Sequence, residues 1–238
     1  MKNNPIVIGV GGFARSGKDT FVKVARKILS ENGYTSEKLA FADVLKIEIG
    51  PFLKQYYGVD VWTDDSSEKK LIRPLLVAHG CQKRIQTNGI YWVDKVEEQI
   101  QRIVSVCDVS KHVIFISDCR FPNEVSWVHD WQKLRWSGWF VHLKKYSVNS
   151  GIQYDSCTGK ETGYREWKQF DEAPNDEEAK NDPICEKESD YRLELENVIE
   201  REQRVNGIKI TTDSLLDNTY LNEEIKLCLT KCPFLTIK

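Results

Sequence analysis

The stretch from Ile6 to Leu29 constrains the fold of this chain more than any other, and it reads IVIGVGGFARSGKDTFVKVARKIL. It begins with an apolar run of Ile and Val residues, long enough for a buried strand and too short for a core helix. Glycines interrupt this run, and a second apolar pattern begins after Gly17. This second pattern has helical spacing, with one face formed by Phe21, Val24, Ala25, Ile28 and Leu29. The order of strand, glycine-rich loop and helix is the context that a phosphate-binding loop needs.

The loop itself, Gly12-Phe-Ala-Arg-Ser-Gly17-Lys18, fits the G-x-x-x-x-G-K pattern of phosphate-binding loops. Its glycines allow backbone N–H groups to turn inward around a phosphate, and the following helix adds a partial positive charge. Lys18 supplies a full charge that can bridge the β and γ phosphates. A chance glycine-rich turn with an exposed lysine is the alternative. We expect an ATP site whose binding residues are Gly12, Ser16, Gly17, Lys18, Asp19 and Thr20.

Position 19, directly after the lysine, carries an aspartate where Ser or Thr is usual in such loops. The usual hydroxyl group contacts Mg²⁺, and here Thr20 follows one residue later. A carboxylate is also a hard oxygen ligand that can bind Mg²⁺ directly or through water. Asp19 is therefore a candidate metal ligand, and Mg²⁺ is expected together with ATP.

Composition limits the class of protein. The chain has 238 residues, of which 40% are hydrophobic, which suits one domain with or without a sizeable insertion. A net charge of −2 gives no overall basic field, so no nucleic-acid partner is expected. The seven scattered cysteines include no C-x-x-C pair, which favours reduced thiols over disulfides or a zinc site. Because no signal peptide and no apolar run of membrane-spanning length is found, we expect a cytoplasmic protein without a membrane partner.

A second strongly apolar run, Val113 to Ile116, ends in Ser117-Asp118-Cys119-Arg120. In an open α/β sheet, ligands lie outside the carboxyl ends of the strands, so this run places an acid and an arginine at the ligand edge. Asp118 suits a metal-binding or general-base role opposite the phosphate loop, and Arg120 can hold an anion. The alternative is that Asp118 caps a helix and Arg120 is its partner.

Other residues can bind a substrate phosphate, and each also has a structural interpretation. Asp43 is expected to cap a helix, and Lys46 lies one turn further along it, where it can face a phosphate. Arg73 and Arg84 can hold phosphate oxygens, although an isolated arginine is often a solvated surface group. Trp92 is either a core residue or a base-stacking platform, and we favour the core. The candidate substrate-binding residues are Asp43, Lys46, Arg73, Arg84, Trp92 and Arg120.

The rest of the chain has weaker patterns. Short strands are expected at 38–41, 139–143 and 208–210, and a last helix at 220–229. Residues 146–183 are polar and contain several glycines and an acidic run, which is typical of a lid over phosphates or of a surface insertion. Residues 186–204 alternate in charge, which predicts a solvated helix.

Four stretches resemble the bacteriophage deoxynucleoside monophosphate kinases, in family order and over roughly the first half of the chain. Residues 15–20, RSGKDT, resemble that family's phosphate loop, with Asp after the lysine. Residues 41–46, FADVLK, look like its F-A-D-P-L-K segment, with Val44 in place of proline. Residues 80–93 are similar to its G-T-D…R…Y-W-V block, and residues 117–124, SDCRFPNE, resemble its T-D-V-R-F-P-N-E.

The resemblance implies one P-loop nucleoside monophosphate kinase-like domain over 1–238, with 146–183 as a lid or insertion. Its α/β fold would have a parallel sheet of about five strands flanked by helices. Its activity would be transfer of the γ-phosphoryl group of ATP to a deoxynucleoside 5′-monophosphate, in the host cytoplasm if the chain is viral. The chain departs from the family at 187–190, KESD, which lacks the histidine of that family's H-x-S-E or H-x-T-E lid motif.

This reaction suggests roles for individual residues. Lys18 and the loop N–H groups would hold the donor phosphates, while Arg84, Arg120 and Lys46 would grip the acceptor phosphate. Arg15 and a lid cation, Lys144 or Lys145, would stabilise charge in the transition state. The predicted catalytic residues are Lys18, Arg15, Asp118 and Arg120, and the predicted metal ligands are Asp19 and Asp118.

Two other functions stay open. Another small-molecule kinase of the same fold, such as a dephospho-coenzyme A kinase, would use the same loop, but its alcohol acceptor needs a general base such as Asp118. A nucleotide-dependent switch or binding protein would hydrolyse ATP slowly and act through a partner. The sequence does not indicate which bases are accepted, whether ribose is excluded, or whether the protein forms a homodimer.

Overall fold

The computed structural model describes residues 4–106, 109–130, 136–154, 161–169, 173, 175–205, 208–212 and 218–237. The helices are α1 (Lys18–Glu31), α2 (Phe41–Tyr57), α3 (Ser66–Thr87), α4 (Ile90–Val106), α5 (Pro122–His129), α6 (Asp176–Lys187) and α7 (Asn218–Lys231). The strands are β1 (Ile6–Gly11), β2 (Thr35–Leu39), β3 (His112–Cys119), β4 (Ser137–Tyr154), β5 (Glu161–Gln169), β6 (Tyr191–Val205) and β7 (Ile208–Thr212).

The strands form one sheet in the order β2-β3-β1-β4-β6-β7, and β5 pairs with β4 outside this path. β2, β3, β1, β4 and β6 run parallel to their neighbours, whereas β5 and β7 pair antiparallel. The expected α/β fold with about five parallel strands is therefore confirmed. The register of the parallel strands brings Gly11 beside Cys119 and His142 at the carboxyl edge of the sheet, where ligands bind in such folds.

The sheet separates two apolar clusters, because successive residues of a strand face opposite sides. On one side, Ile8 and Phe115 pack with α1 and α7. On the other side, Val7 and Ile114 pack with α2, α4 and α5. The Phe21 ring of α1 meets the Phe115 ring edge-on, with centroids 6.4 Å apart. This contact anchors α1, and with it the loop that precedes the helix.

The predicted helix at 186–204 is wrong, because α6 ends at Lys187 and the chain from Tyr191 onward forms β6. Leu193 and Leu195 are buried, whereas Glu194 between them is exposed. This period of two suits a strand with one face packed on the core. The charged residues that alternate here belong to the polar face of a strand.

Residues 146–183 contain regular structure. β4 continues to Tyr154, well beyond the predicted strand at 139–143, and β5 returns antiparallel to it before α6 begins. Residues 155–160, 170–172 and 174 lie outside the described part of this segment. The described part is a strand pair followed by a helix, and its role as a lid stays a prediction.

Two expectations from composition can be compared with the fold. The described cysteines are free thiols, namely Cys81, Cys119, Cys185, Cys228 and Cys232. Cys107 and Cys157 lie outside the described residues. Among the ranges given above, no helix is both long and apolar enough to cross a membrane.

Candidate phosphate-binding site

The loop between β1 and α1 reverses direction through residues with positive φ. Gly12 has a φ of 121°, Arg15 of 68° and Gly17 of 97°. The turn is closed by a hydrogen bond from the Ser16 N–H to the Phe13 carbonyl at 3.2 Å. Gly17 is the N-cap residue of α1, so the partial positive charge of the helix N-terminus lies directly at the loop. This arrangement can bind an anion through backbone N–H groups.

Gly12 lies against the backbone of β4. A Cβ atom built at this position would lie 2.3 Å from the carbonyl oxygen of Leu143 and 2.9 Å from the Ser16 hydroxyl. No side chain fits that space, so the close approach requires glycine. Ser16 is fully buried, which shows that the loop is packed on the sheet.

Lys18 folds back over the loop. Its Nζ atom donates to the carbonyl oxygens of Gly12 and Phe13, each at 2.6 Å, and lies 3.5 Å from Ser16 Oγ. Burial, followed by repulsion from Arg120, lowers the pKa of Lys18 below its ordinary value. The ammonium group is therefore partly desolvated and held by carbonyl oxygens that phosphate oxygens can replace.

Asp19 forms an ion pair at the surface. Its side chain is 85% exposed, and its Oδ1 atom accepts from Lys38 Nζ at 2.6 Å. Thr20 is exposed as well. No group of at least three His, Cys, Asp or Glu side chains suited to a metal occurs among the described residues. The predicted role of Asp19 as a metal ligand stays a prediction.

Asp118, at the end of β3, caps α2. Its Oδ1 atom accepts from the Phe41 N–H and its Oδ2 atom from the Ala42 N–H, each at 2.8 Å. The N-cap residue of α2, Ala40, has no side-chain acceptor, so the distant aspartate replaces it. Burial raises the pKa of Asp118, and the Ala42 N–H opposes that shift. The predicted metal-binding and catalytic roles of Asp118 stay predictions beside this capping role.

Asp118→Ala is expected to lower the free energy of unfolding by about 1–3 kcal/mol, because two backbone N–H groups lose their acceptor. Urea unfolding measures the total change, and hydrogen exchange at Phe41 and Ala42 localises it to the start of α2. Asp118→Asn, which keeps one oxygen acceptor, should lose less. Unchanged stability and unchanged exchange in Asp118→Ala would show that the cap contributes nothing.

The expectation that Asp43 is the N-cap of its helix is wrong, because α2 already begins at Phe41. Asp43 lies in the first turn instead, with its Oδ1 atom 3.7 Å from Lys46 Nζ. The Lys46 ammonium also lies over the Trp62 ring, 4.5 Å from its centroid. The hydrogen bonds of Asp118 to Phe41 and Ala42 place the start of α2 at the carboxyl end of β3.

Arg120 and Arg84 lie on either side of Glu124. Arg120 follows β3 and pairs through Nη1 with Glu178 Oε1 at 2.7 Å, with its side chain 42% exposed. Arg84, near the end of α3, pairs through Nη2 with Glu124 Oε1 at 3.0 Å and is 18% exposed. The Arg84 guanidinium also stacks on the Phe121 ring, 3.3 Å from its centroid. The positive charge of Arg120 also contributes to the lowered pKa of Lys18.

Other predicted substrate residues lie elsewhere. Arg73 is exposed on α3. Trp92 is 2% exposed in the core cluster, and its Nε1 atom donates to the Gly80 carbonyl at 3.1 Å, which supports the core interpretation. Arg15 is exposed in the loop, and its catalytic role stays a prediction.

One face of α6 is acidic and contacts Arg120, His142 and Lys144. The acids recur every four residues and so share one side of the helix. Glu178 pairs with Arg120 at 2.7 Å and Glu186 with Lys144 at 2.7 Å, and Asp182 Oδ1 lies within hydrogen-bond distance of His142 Nε2, at 2.9 Å. Cys185 on the same face is buried in the core. The helix is therefore docked over the carboxyl edge of the sheet by packing and by charge.

Sequence analysis did not single out Glu124, His142 or the acids of α6 as site residues. Glu124 lies in the stretch 117–124 that resembles the phage kinases, and this was an available signal. His142 ends a short apolar run whose neighbour in the sheet is Gly11, a fact that only the register reveals. The spacing of Glu178 and Asp182 predicts a common helix face but not its partner.

Comparisons with known proteins give little. No family model matches the chain, and no curated protein matches it. Among solved structures the chain is similar to APE1195, with 13% sequence identity and a TM-score of 0.30. The match covers 60% of this chain and 61% of APE1195. A likeness at this level carries no argument, so only the chain's own residues bear on its function.

Proposed function

We propose that this protein is a P-loop kinase that phosphorylates deoxynucleoside 5′-monophosphates with ATP. The observation that supports this function most is the ammonium group of Lys18, held against loop carbonyls at the N-terminus of α1. A lysine in this place can exchange the carbonyl oxygens for the β and γ phosphates of ATP. The resemblance of the loop, of 41–46, of 80–93 and of 117–124 to the phage kinases supports the acceptor class.

On the donor side, the glycine-containing loop and the N-terminus of α1 bind phosphate oxygens through backbone N–H groups. Lys18 neutralises charge on the transferring group, and Arg15 lies exposed in the same loop. Asp19 and Asp118 would hold Mg²⁺ through water, and the ion would neutralise charge between the β and γ phosphates.

On the acceptor side, positive charge would come from Arg84 of α3, Lys46 of α2 and Arg120, which directly follows β3. A monophosphate already carries a nucleophilic oxygen, so positioning and charge neutralisation provide most of the catalysis. Both oxygens of Asp118 already accept backbone hydrogen bonds, which suits orientation of a helix more than proton abstraction. This geometry favours a phosphate acceptor over an alcohol acceptor.

The test is an assay of ADP formation by the full chain with ATP, Mg²⁺ and one acceptor at a time. The acceptors are the common 2′-deoxynucleoside 5′-monophosphates, the matching ribonucleotides and dephospho-coenzyme A, and chromatography identifies the diphosphate product. We expect one or more deoxynucleoside monophosphates to be phosphorylated, with only background ADP when no acceptor is present. ADP formation with dephospho-coenzyme A alone, or slow ADP formation independent of every acceptor, would contradict the proposal.

A further inference from the structure

Glu124, in the first turn of α5, is a buried carboxylate that joins two parts of the candidate site. The residue is 1% exposed. Its Oε1 atom accepts from Arg84 Nη2 at 3.0 Å. Its Oε2 atom accepts from the backbone N–H groups of Arg120 at 2.7 Å and Phe121 at 3.2 Å. The carboxylate therefore ties the end of α3 to the turn that carries Arg120.

The Arg84 guanidinium is held by two contacts, yet its buried Nη1 atom makes no hydrogen bond among the described residues. The guanidinium is fixed by its hydrogen bond to Glu124 and by its stacking on Phe121. Its Nη1 atom is buried and has no hydrogen-bond partner among the described residues. A buried donor without an acceptor is unfavourable, and such a group in a folded protein calls for an explanation. A ligand oxygen would supply the missing acceptor.

We propose that Glu124 is a positioning residue, which fixes Arg84 so that its Nη1 atom binds the phosphate of the acceptor nucleotide. The inference rests on the proposed function, because it assigns the acceptor site of that reaction. Glu124 acts through Arg84 and does not bind the ligand itself, since both its oxygens are occupied and its negative charge repels phosphate.

Arg84 suits this task better than Arg120 in the present arrangement. The Nη1 atom of Arg120 already binds Glu178, and its side chain is more than twice as exposed, at 42% against 18% for Arg84. A charge-assisted hydrogen bond is stronger where water is excluded, and a guanidinium already held in place loses less conformational entropy on binding. The stacked, largely buried guanidinium of Arg84 is therefore the preorganised part of the proposed acceptor site.

The test measures binding of deoxynucleoside 5′-monophosphates to the full chain by calorimetry, with a non-hydrolysable ATP analogue filling the donor site. Arg84→Met and Glu124→Gln are each expected to raise the Kd of the monophosphate at least about tenfold, as for loss of a charge-assisted contact. The Kd of the ATP analogue should change less than about threefold, because the donor loop is not altered. Arg102→Met is the matched control, since Arg102 is 79% exposed on α4 and lies 3.9 Å from its partner Glu98.

The parent deoxynucleosides, which lack the phosphate, separate positioning from a general structural role. Their affinities should not change in Glu124→Gln if the residue acts on phosphate binding alone. Equal weakening of nucleoside, monophosphate and ATP analogue, or an unchanged Kd for the monophosphate, would overturn the proposal. If Glu124→Gln does not fold, Arg84→Lys provides the same test, because it keeps the charge and loses the planar fork.

ADP formation is measured separately, so that the two proposals can fail independently. Monophosphate binding that depends on Arg84 and Glu124, without ADP formation, would contradict the kinase function and support this site. ADP formation with unchanged monophosphate affinity in both variants would support the kinase function and contradict this site. A wild-type chain that binds no monophosphate contradicts both.

Discussion

Replacement of Lys18 by alanine is expected to lower the turnover rate at least about a hundredfold, because a principal positive charge at the transferring phosphate is lost. The fold should be retained, since the ammonium group contacts loop carbonyls and not the apolar core. Steady-state ADP formation measures the first effect, and urea unfolding measures the second. Lys23→Ala is the matched control, because Lys23 is exposed further along the same helix.

The lowered pKa of Lys18 adds a prediction about stability to the same variant. Burial, and then Arg120, lowers this pKa, so the unfolded chain binds the proton more tightly than the folded chain does. The resulting penalty is present below the folded pKa and disappears as pH rises from the folded to the unfolded pKa. In slightly acidic buffer, Lys18→Ala should therefore unfold at the same or a higher urea concentration than the wild type. Earlier unfolding, or near-normal turnover, would contradict the role assigned to Lys18.

The sequence predicts the strand, loop and helix around Lys18 well, because the signals for these elements are local. The apolar run of β1, the glycines after it and the helical spacing of α1 lie next to one another in the chain. Asp118 and Arg120 could be placed at the same edge by a general rule of parallel sheets, without any knowledge of their contacts. The sheet of about five parallel strands was an expectation from the resemblance to the phage kinases, and the strand order confirms it.

Contacts between distant segments could not be predicted from one sequence. The cap of α2 comes from Asp118, which lies 77 residues after Phe41. The sequence analysis therefore assigned the capping role to the nearby Asp43 instead. The acids of α6 contact Arg120, directly after β3, and His142 on β4 only because the sheet brings these elements together. The missing hydrogen-bond partner of Arg84 Nη1 likewise can be recognised only from the positions of the neighbouring groups in the structure.

Residues 186–204 were wrongly predicted as a helix, because the pattern of alternating charges has two physical causes. Alternating charges are found on solvated helices and also on the polar face of a strand. In β6 the decisive residues are Leu193 and Leu195, whose burial at a spacing of two requires a strand. Their partner strand, β4, is itself longer than its apolar run indicates, since pairing with β5 and β6 extends it.

Gly12→Ala is expected to abolish nucleotide binding, with the Kd for ATP raised at least about a hundredfold. The added Cβ atom would lie 2.3 Å from the Leu143 carbonyl, and this oxygen belongs to β4 and cannot move without disturbing the sheet. The φ of 121° is also unfavourable for alanine. The loop must therefore shift away from the strand, which displaces the backbone N–H groups that bind phosphate. Calorimetric titration with ATP and Mg²⁺ measures the effect.

Gly58→Ala separates steric displacement from backbone strain. Gly58 ends α2 with a φ of 70°, yet among the described residues no atom beyond its own stretch of chain lies within 4 Å of the position that its Cβ atom would occupy. This control should lose only about 1–2 kcal/mol of stability, the usual cost of a left-handed conformation for an L-residue, and should bind ATP normally. Gly12→Ala should lose more stability than the control, because the collision adds to the strain. If the two variants bind ATP equally well, the packing of Gly12 on Leu143 does not determine the shape of the phosphate loop.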